Sequence, residues 1–120
     1  QHAIDSAMNN AKKNNLEKLN IAQKQIAVGR DIFLFNTEMQ ATQEDGEIAR
    51  LHKALEDDSR IVELRQRVRK AAESQLANGV IDATDLLPKI TDETTASLNR
   101  STHEIELLQA IYKLKTTLNQ

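Results

Sequence analysis

The 120-residue chain has no cysteine and no tryptophan, one proline, three glycines, and three aromatic residues in all: Phe33, Phe35 and Tyr112. Each shortage removes a class of structure. Without cysteine there is neither a disulfide framework nor a thiolate for catalysis or metal binding, and the redox compartment stays open. With so few aromatics, a thick globular core lacks its usual bulk, and a thin seam between helices is expected instead. No apolar run approaches the roughly 20 residues that span a bilayer, and no stretch has the pattern of a secretory signal, so the segment is expected to be soluble rather than membrane-embedded. It opens on Gln1 rather than Met, as expected of a processed or excised piece. Charge is nearly balanced, 16 Lys and Arg against 18 Asp and Glu for a net of −2. That balance gives no general attraction to nucleic acid or to an anionic membrane.

What is present favours helix. Ala, Leu, Ile, Lys, Glu, Gln and Arg dominate, the composition of long helices. Apolar residues recur at steps of three and four: Ile4, Met8, Ala11, then Leu16, Leu19, Ala22, Ile26. The period is helical but the face is thin. Asn9, Asn10, Asn14, Asn15 and Asn20 weaken it further, because Asn competes with the backbone for hydrogen bonds. A helix here needs outside support. Ile32-Phe33-Leu34-Phe35 is the most apolar run in the arm, expected to be a buried turn of helix or a local packing contact rather than a ligand pocket. Gly29 and Gly46 each cost about 1 kcal/mol relative to Ala and stand as bends or close-approach points without ending the arm. From Ile48 the pattern sharpens into two tracks: Ile48, Leu51, Leu55, Val62, and Ile61, Leu64, Val68, Ala71, Gln75. The second steps like a coiled-coil seam, and two tracks side by side suit a helix with more than one neighbour.

The strongest punctuation is Asn78-Gly79-Val80-Ile81-Asp82-Ala83-Thr84-Asp85-Leu86-Leu87-Pro88. Glycine just past a helix end enters the left-handed conformation without a Cβ clash, and Asp or Thr then offers a capping oxygen to the next helix. Pro88 is expected in the first turn, where its missing N–H is not needed, which puts the helix start near Thr84 or Asp85 with Thr84 as N-cap. Helical tracks resume after it: Leu87, Ile90, Thr94, Ser97, Ser101; Leu98, Ile105, Leu108, Tyr112; and Leu107, Ile111, Leu114, Leu118. The expected fold is all-α, a long antiparallel helical hairpin, or coiled coil, with unequal arms: first arm about 2–77, tip 78–84, second arm about 85–118.

Charge tests that register. A turn at Gly79–Val80 places residue i opposite about residue 160 − i, since both arms rise about 1.5 Å per residue. Arg65, Arg67, Arg69 and Lys70 then face Asp92 and Glu93, while Glu44, Asp45 and Glu47 face Lys113 and Lys115. Both blocks match in sign. The second arm ends opposite about Thr42, which leaves the first forty or so residues without an intrachain partner, and an isolated helix of that quality is marginal in water.

Chemistry is sparse. Ser101 and His103 are two apart on a helix and point to different faces, so both are expected on the surface. His52 and Glu56, at i and i+4, have no third ligand and are expected on a solvated face. Asp82 and Asp85 are accounted for by capping. No Gly-rich phosphate loop occurs, and the basic run Arg65–Lys70 lacks the aromatics that stack on bases. The expectation is a non-enzyme with no cofactor, no metal site and no nucleic-acid partner.

From about Arg60 onward the chain resembles the C-terminal helical hairpin of the TolC-like outer-membrane efflux proteins. The residues carrying the resemblance are Leu64, Val68 and Ala72 leading into Gln75-Leu76-Ala77-Asn78-Gly79-Val80-Ile81, then Asp85-Leu86-Leu87, and the closing Ile105, Leu108, Ala110, Tyr112 and Leu114. Gln1–Ser59 fits by length and helical character alone. The resemblance implies a homotrimer in the parent protein, whose long helices form a periplasmic tunnel beneath an outer-membrane β-barrel, and the barrel strands are not in this segment. It implies a Gram-negative periplasmic location and a tip, Asn78, Gly79, Val80 and Ile81, that docks the periplasmic adaptor (membrane fusion) protein of a tripartite pump or type I secretion system. Asp85 matches a position where acidic residues constrict the tunnel entrance; the family's efflux archetype has a second acidic residue three positions on, where this chain has Pro88. The alternative reading is an interaction module, either the hairpin of a periplasmic adaptor or a prefoldin-like chaperone arm.

Overall fold

The computed structural model describes residues Gln1–Gln120. Two helices, α1 (His2–Ala77) and α2 (Ala83–Leu118), make up nearly all of it. The fold is an all-α antiparallel hairpin with unequal arms, 76 residues against 36. No helix is long and apolar enough to cross a membrane. Neither Gly29 nor Gly46 interrupts α1, and a Cβ at either would meet nothing within 4 Å. The chain divides into two units, Gln1–Gln40 and Ala41–Gln120.

The unit Gln1–Gln40 is the first part of α1 alone. Only Thr37 is even partly shielded. The run Ile32-Phe33-Leu34-Phe35, expected to be buried, is instead 50–61% exposed. The reason is simple: no second helix of this chain lies within that unit to cover it. Ile21, Val28 and Ile32 form a shallow apolar concavity beside the bare backbone of Gly29.

The unit Ala41–Gln120 is the paired part. On α1 the shielded residues fall at 41, 44, 48, 51, 54, 55, 58 and 62, then 68, 69, 72 and 76; on α2 they fall at 86, 93, 96, 97, 100, 103, 106, 107, 110, 114 and 117. Steps of three and four sustained over this length are the heptad seam of a coiled coil. Ile48, Leu51, Leu55 and Val62 lie on it as expected. The neighbouring track does not: Ile61 and Leu64 are about half exposed, and the seam runs through Arg69, Ala72 and Leu76 instead. A two-helix hairpin gives each helix one neighbour, so one narrow face is covered and the second stays open.

That seam is unusually polar. Six residues are buried, and three of them, Glu44, Asp58 and Thr117, are polar or charged; the apolar three are Leu51, Ala72 and Ala96. The polar residues meet across the helices. Thr117 Oγ1 donates to Glu44 Oε1 at 2.9 Å, His103 Nδ1 lies 2.5 Å from Asp58 Oδ2, and Arg69 pairs with Glu93. The numbers of these partners add to 161 or 162, within two residues of the register read from charge. Arg65 reaches Asp92 at 3.8 Å on the diagonal. Two details differ from expectation. Arg67 pairs with Glu63 on its own helix. At the other block, Glu47 is taken by Arg50 and feels Lys113 only at a distance, while Glu44 turns inward to Thr117.

Both helix ends at the turn are closed by backbone and side chain together. Gly79 has φ +73°. Its N–H donates to Leu76 O at 3.0 Å, and the N–H of Val80 donates to Gln75 O at 2.8 Å, the paired bonds of a Schellman cap. α2 then opens on Asp82, not on Thr84. Asp85 N–H donates to Asp82 Oδ1 at 3.0 Å and Asp82 N–H donates to Asp85 Oδ2 at 3.2 Å, a reciprocal capping box. Asp at the N-cap with a second acid three residues on satisfies two free N–H groups at once, which Thr84 could not do. Starting so early puts Pro88 at the sixth helical position, inside the helix rather than in its first turn. There its ring removes the N–H that would have bonded Thr84 O. We expect Asp82→Ala to cost about 0.5–2 kcal/mol in urea unfolding and Thr84→Ala to cost little; the reverse ranking would show that the cap is misassigned.

Candidate functional site

Three features of the paired unit offer something for function: the tip, the polar layers of the seam, and the open faces.

At the tip, Asn78 and Gly79 are exposed, Val80 is 70% exposed, and Ile81 is partly shielded. A Schellman cap commonly folds the residue after glycine back onto the helix; here the position it would meet is Gln75, and Val80 stands out in solvent instead. Five residues, 78–82, reverse the chain between two capped helix ends, so the apolar end is presented by a short, hydrogen-bonded turn. Asp85 sits in the first turn of α2 with its carboxylate accepting from Asp82 N–H. Its first role is thus to fix the start of α2, and the structure brings it together with Asp82 rather than with Asn78 or Gly79.

Of the seam layers, the charge register finds Arg69–Glu93, while sequence reasoning misses Asp58–His103 and Glu44–Thr117. His103, expected on the surface, is in the seam against Asp58, with about a tenth of the Asp58 side chain exposed. The signal was available: the register of about 160 − i places Asp58 opposite residue 102 or 103, and both fall on the seam's steps of three and four. Ser101 and His52 are exposed. Arg69 is held between Glu93 across the seam and Glu73 one turn along its own helix, and these hydrogen bonds raise its already high pKa, Glu93 most.

Outside the seam the charges pair along α1. Hydrogen bonding from Arg50 lowers the Glu47 carboxyl below its ordinary value, and Arg60, aided by Lys53, lowers Asp57. A carboxyl lowered in the folded state contributes stability that is present above its unfolded pKa and is lost as pH falls through the folded one. These pairs are exposed, so the contribution is small.

The open faces complete the inventory. Ile61 and Leu64 on α1, and Leu98, Ile105, Leu108 and Tyr112 on α2, are 45–73% exposed. Beside the Arg69–Glu93 pair, Ile90, Thr94, Ser97 and Leu98 floor a shallow groove. No group of three or more metal-ligating side chains forms. Comparison with protein families, with curated proteins and with solved structures finds no match for this chain.

A buried charge that loses its partner is costly, whereas an apolar pair in the same place often is not. His103→Leu should therefore lower stability by about 1–3 kcal/mol by stranding Asp58. Adding Asp58→Leu should recover most of that loss in urea unfolding. A silent single variant would mean that the layer does not form.

Proposed function

We propose that the chain is one helical hairpin of the periplasmic duct of a TolC-like outer-membrane efflux or type I secretion protein. Its sides pack on other hairpins of the trimer, and its tip docks the periplasmic adaptor protein. The observation that carries this reading is the placement of the two open apolar stripes.

On α1 exposed Ile61 and part-shielded Val68 precede the seam residues Val62 and Arg69 by one position, with exposed Leu64 between them; on α2 the stripe Leu98, Ile105, Leu108, Tyr112 follows the seam residues by one or two. Each step along a helix turns the side chain by about 100°. Because the helices run in opposite directions, preceding on one and following on the other rotate in the same sense about the common axis. The α1 stripe therefore looks to one side of the hairpin, and most of the α2 stripe, two positions past the seam, looks directly away from α1, so the two are open to different neighbours. The two meet in height at Leu64 and Leu98, whose numbers add to 162, as in the intrachain seam. A second hairpin placed beside the first without axial shift would set its α2 stripe against this α1 stripe. Such a head-to-tail contact closes into a ring when the rotation permits, and a ring of helices is a tunnel.

The unequal arms support the same reading. A helix with apolar residues on several faces, as in Gln1–Gln40, is normally covered, and α2 ends opposite about residue 43, before that stretch begins. An adaptor hairpin or a chaperone arm accounts less well for both features, since matched arms and a single seam suffice for it. At the tip, exposed Val80 is the apolar contact for a partner. Asp85 remains the entrance candidate, with its carboxylate also serving the cap.

Because the chain has no cysteine, a disulfide probe is clean. Leu64→Cys with Leu98→Cys cannot bridge within one hairpin, and on oxidation the double variant of the full parent protein should give oligomers up to a closed ring. Bridging within single chains only, or none, would sink the side-by-side packing. The parent sequence tests the duct itself: its flanks should hold amphipathic strands of about 9–11 residues, and flanks without them would defeat the outer-membrane assignment.

A further inference from the structure

Asn78-Gly79 is the one Asn-Gly pair in the chain, and it lies at the exposed tip. We infer that Asn78 is a site of spontaneous deamidation, gated by opening of the cap that ends α1.

The chemistry needs only water. The backbone nitrogen of Gly79, once deprotonated, attacks Cγ of Asn78. The N–Cγ bond forms, the Cγ–Nδ2 bond breaks, and the amide nitrogen leaves as ammonia, taking its proton from water. The product is a five-membered cyclic imide. Water then opens it at one of two carbonyls: attack at Cγ leaves aspartate at position 78, and attack at the backbone carbonyl carbon leaves a β-linked aspartate whose main chain runs through Cγ. Nothing is oxidised or reduced.

Glycine at the following position favours the ring closure twice, since it has no side chain to crowd the attacking nitrogen and its backbone dihedrals are the freest. The other asparagines lack both advantages. Asn9, Asn14, Asn36 and Asn99 precede residues with side chains and sit inside helices, where the following N–H is bonded.

In the closed hairpin Asn78 is protected by the cap. Gly79 N–H is committed to Leu76 O at 3.0 Å, and Asn78 N–H to Ser74 O at 3.1 Å. Those bonds hold the attacking nitrogen in the helical turn and keep its proton. Packing around them is sparse: Asn78 and Gly79 are exposed, a Cβ on Gly79 would meet nothing within 4 Å, and Val80 is in solvent. Helix ends with few buried contacts open locally at low free energy, so the reaction proceeds through the frayed tip.

The product acts back on the turn. A new carboxylate stands at the C-terminal end of α1, where the helix dipole disfavours negative charge, and it joins Asp82 and Asp85 in the same few residues. The β-linked form lengthens the main chain inside the cap and breaks the spacing between Val80 N–H and Gln75 O. Deamidation therefore loosens the turn that permitted it.

The test is ageing of the purified chain in warm, mildly alkaline buffer, followed by tryptic mapping. Cleavage after Lys70 and Lys89 releases 71–89, in which Asn78 is the sole asparagine. Conversion should appear there ahead of every other asparagine as the acid-for-amide mass gain, with part of the product labelled by an isoaspartyl methyltransferase. The free synthetic peptide 71–89 should convert severalfold faster than the folded chain, and its Gly79→Ala version should convert severalfold slower than the unaltered peptide. An unchanged Asn78 in both peptide and protein overturns the site. Equal rates in peptide and protein overturn the gating.

Discussion

The pairing of a few buried polar side chains across the seam is the constraint on which the hairpin depends. Its buried apolar residues are Leu51, Ala72 and Ala96, a core too slender to fix how the arms align. A slip of one heptad would exchange one small apolar contact for another. The polar layers forbid it. Moving α2 one heptad in one direction sets His103 beside Arg65 and Asp58 against Ala110; moving it in the other sets Asp58 against Ala96 and His103 against Leu51. Either leaves a carboxylate in the seam without its partner, and an unpaired buried charge costs several times what a displaced methyl group does. Polar residues at seam positions are a known device for fixing coiled-coil register. This chain uses it at three levels, Glu44–Thr117, Asp58–His103 and Arg69–Glu93.

Much of this could be read from the sequence, for identifiable reasons. The arms were legible because Gly and Pro are so scarce that one Asn-Gly stands out, and α1 does end at Ala77. The register was legible because charge blocks on both arms had to match in sign. The cap was half legible: Asp82 and Asp85 were assigned to capping, but Thr84 was preferred as N-cap, because the reciprocal bond between two acids three residues apart depends on where the chain bends. His103 was misplaced because a spacing argument along one helix cannot show what stands on the other. Burial was overestimated wherever an apolar run was assumed to have a neighbour. Ile32–Phe35, Ile61 and Leu64 carry the pattern of a covered face, and this chain supplies no second helix for them.

The turn and the seam reinforce each other. Five residues between two capped ends leave α2 little freedom to begin elsewhere, so the tip sets the alignment to within a residue or two and the polar layers choose among the remainder. The tip therefore cannot be altered without consequence further up. A longer or looser turn would relax the starting point of α2 and hand the whole choice of register to the layers, the nearest of which, Arg69–Glu93, is itself partly open to solvent.

The open stripes bear on the same question from outside. In a self-sufficient two-helix coiled coil, residues beyond the seam are polar, because exposed apolar stripes invite association. Here the polar residues have moved into the seam and the larger apolar ones, Leu98, Ile105, Leu108 and Tyr112, have moved out of it. That inversion is unfavourable for a hairpin alone in water, and it fits one whose sides are covered by like hairpins. In such a ring the outward stripes supply the bulk of the burial, while the internal seam needs only to hold its two helices level. Level helices are what bring Leu64 of one hairpin to the height of Leu98 in the next. In a ring of such hairpins, polar layers that fix alignment within each hairpin would also fix it around the ring, and for that purpose their directionality would serve better than the stronger but slippery packing of leucines.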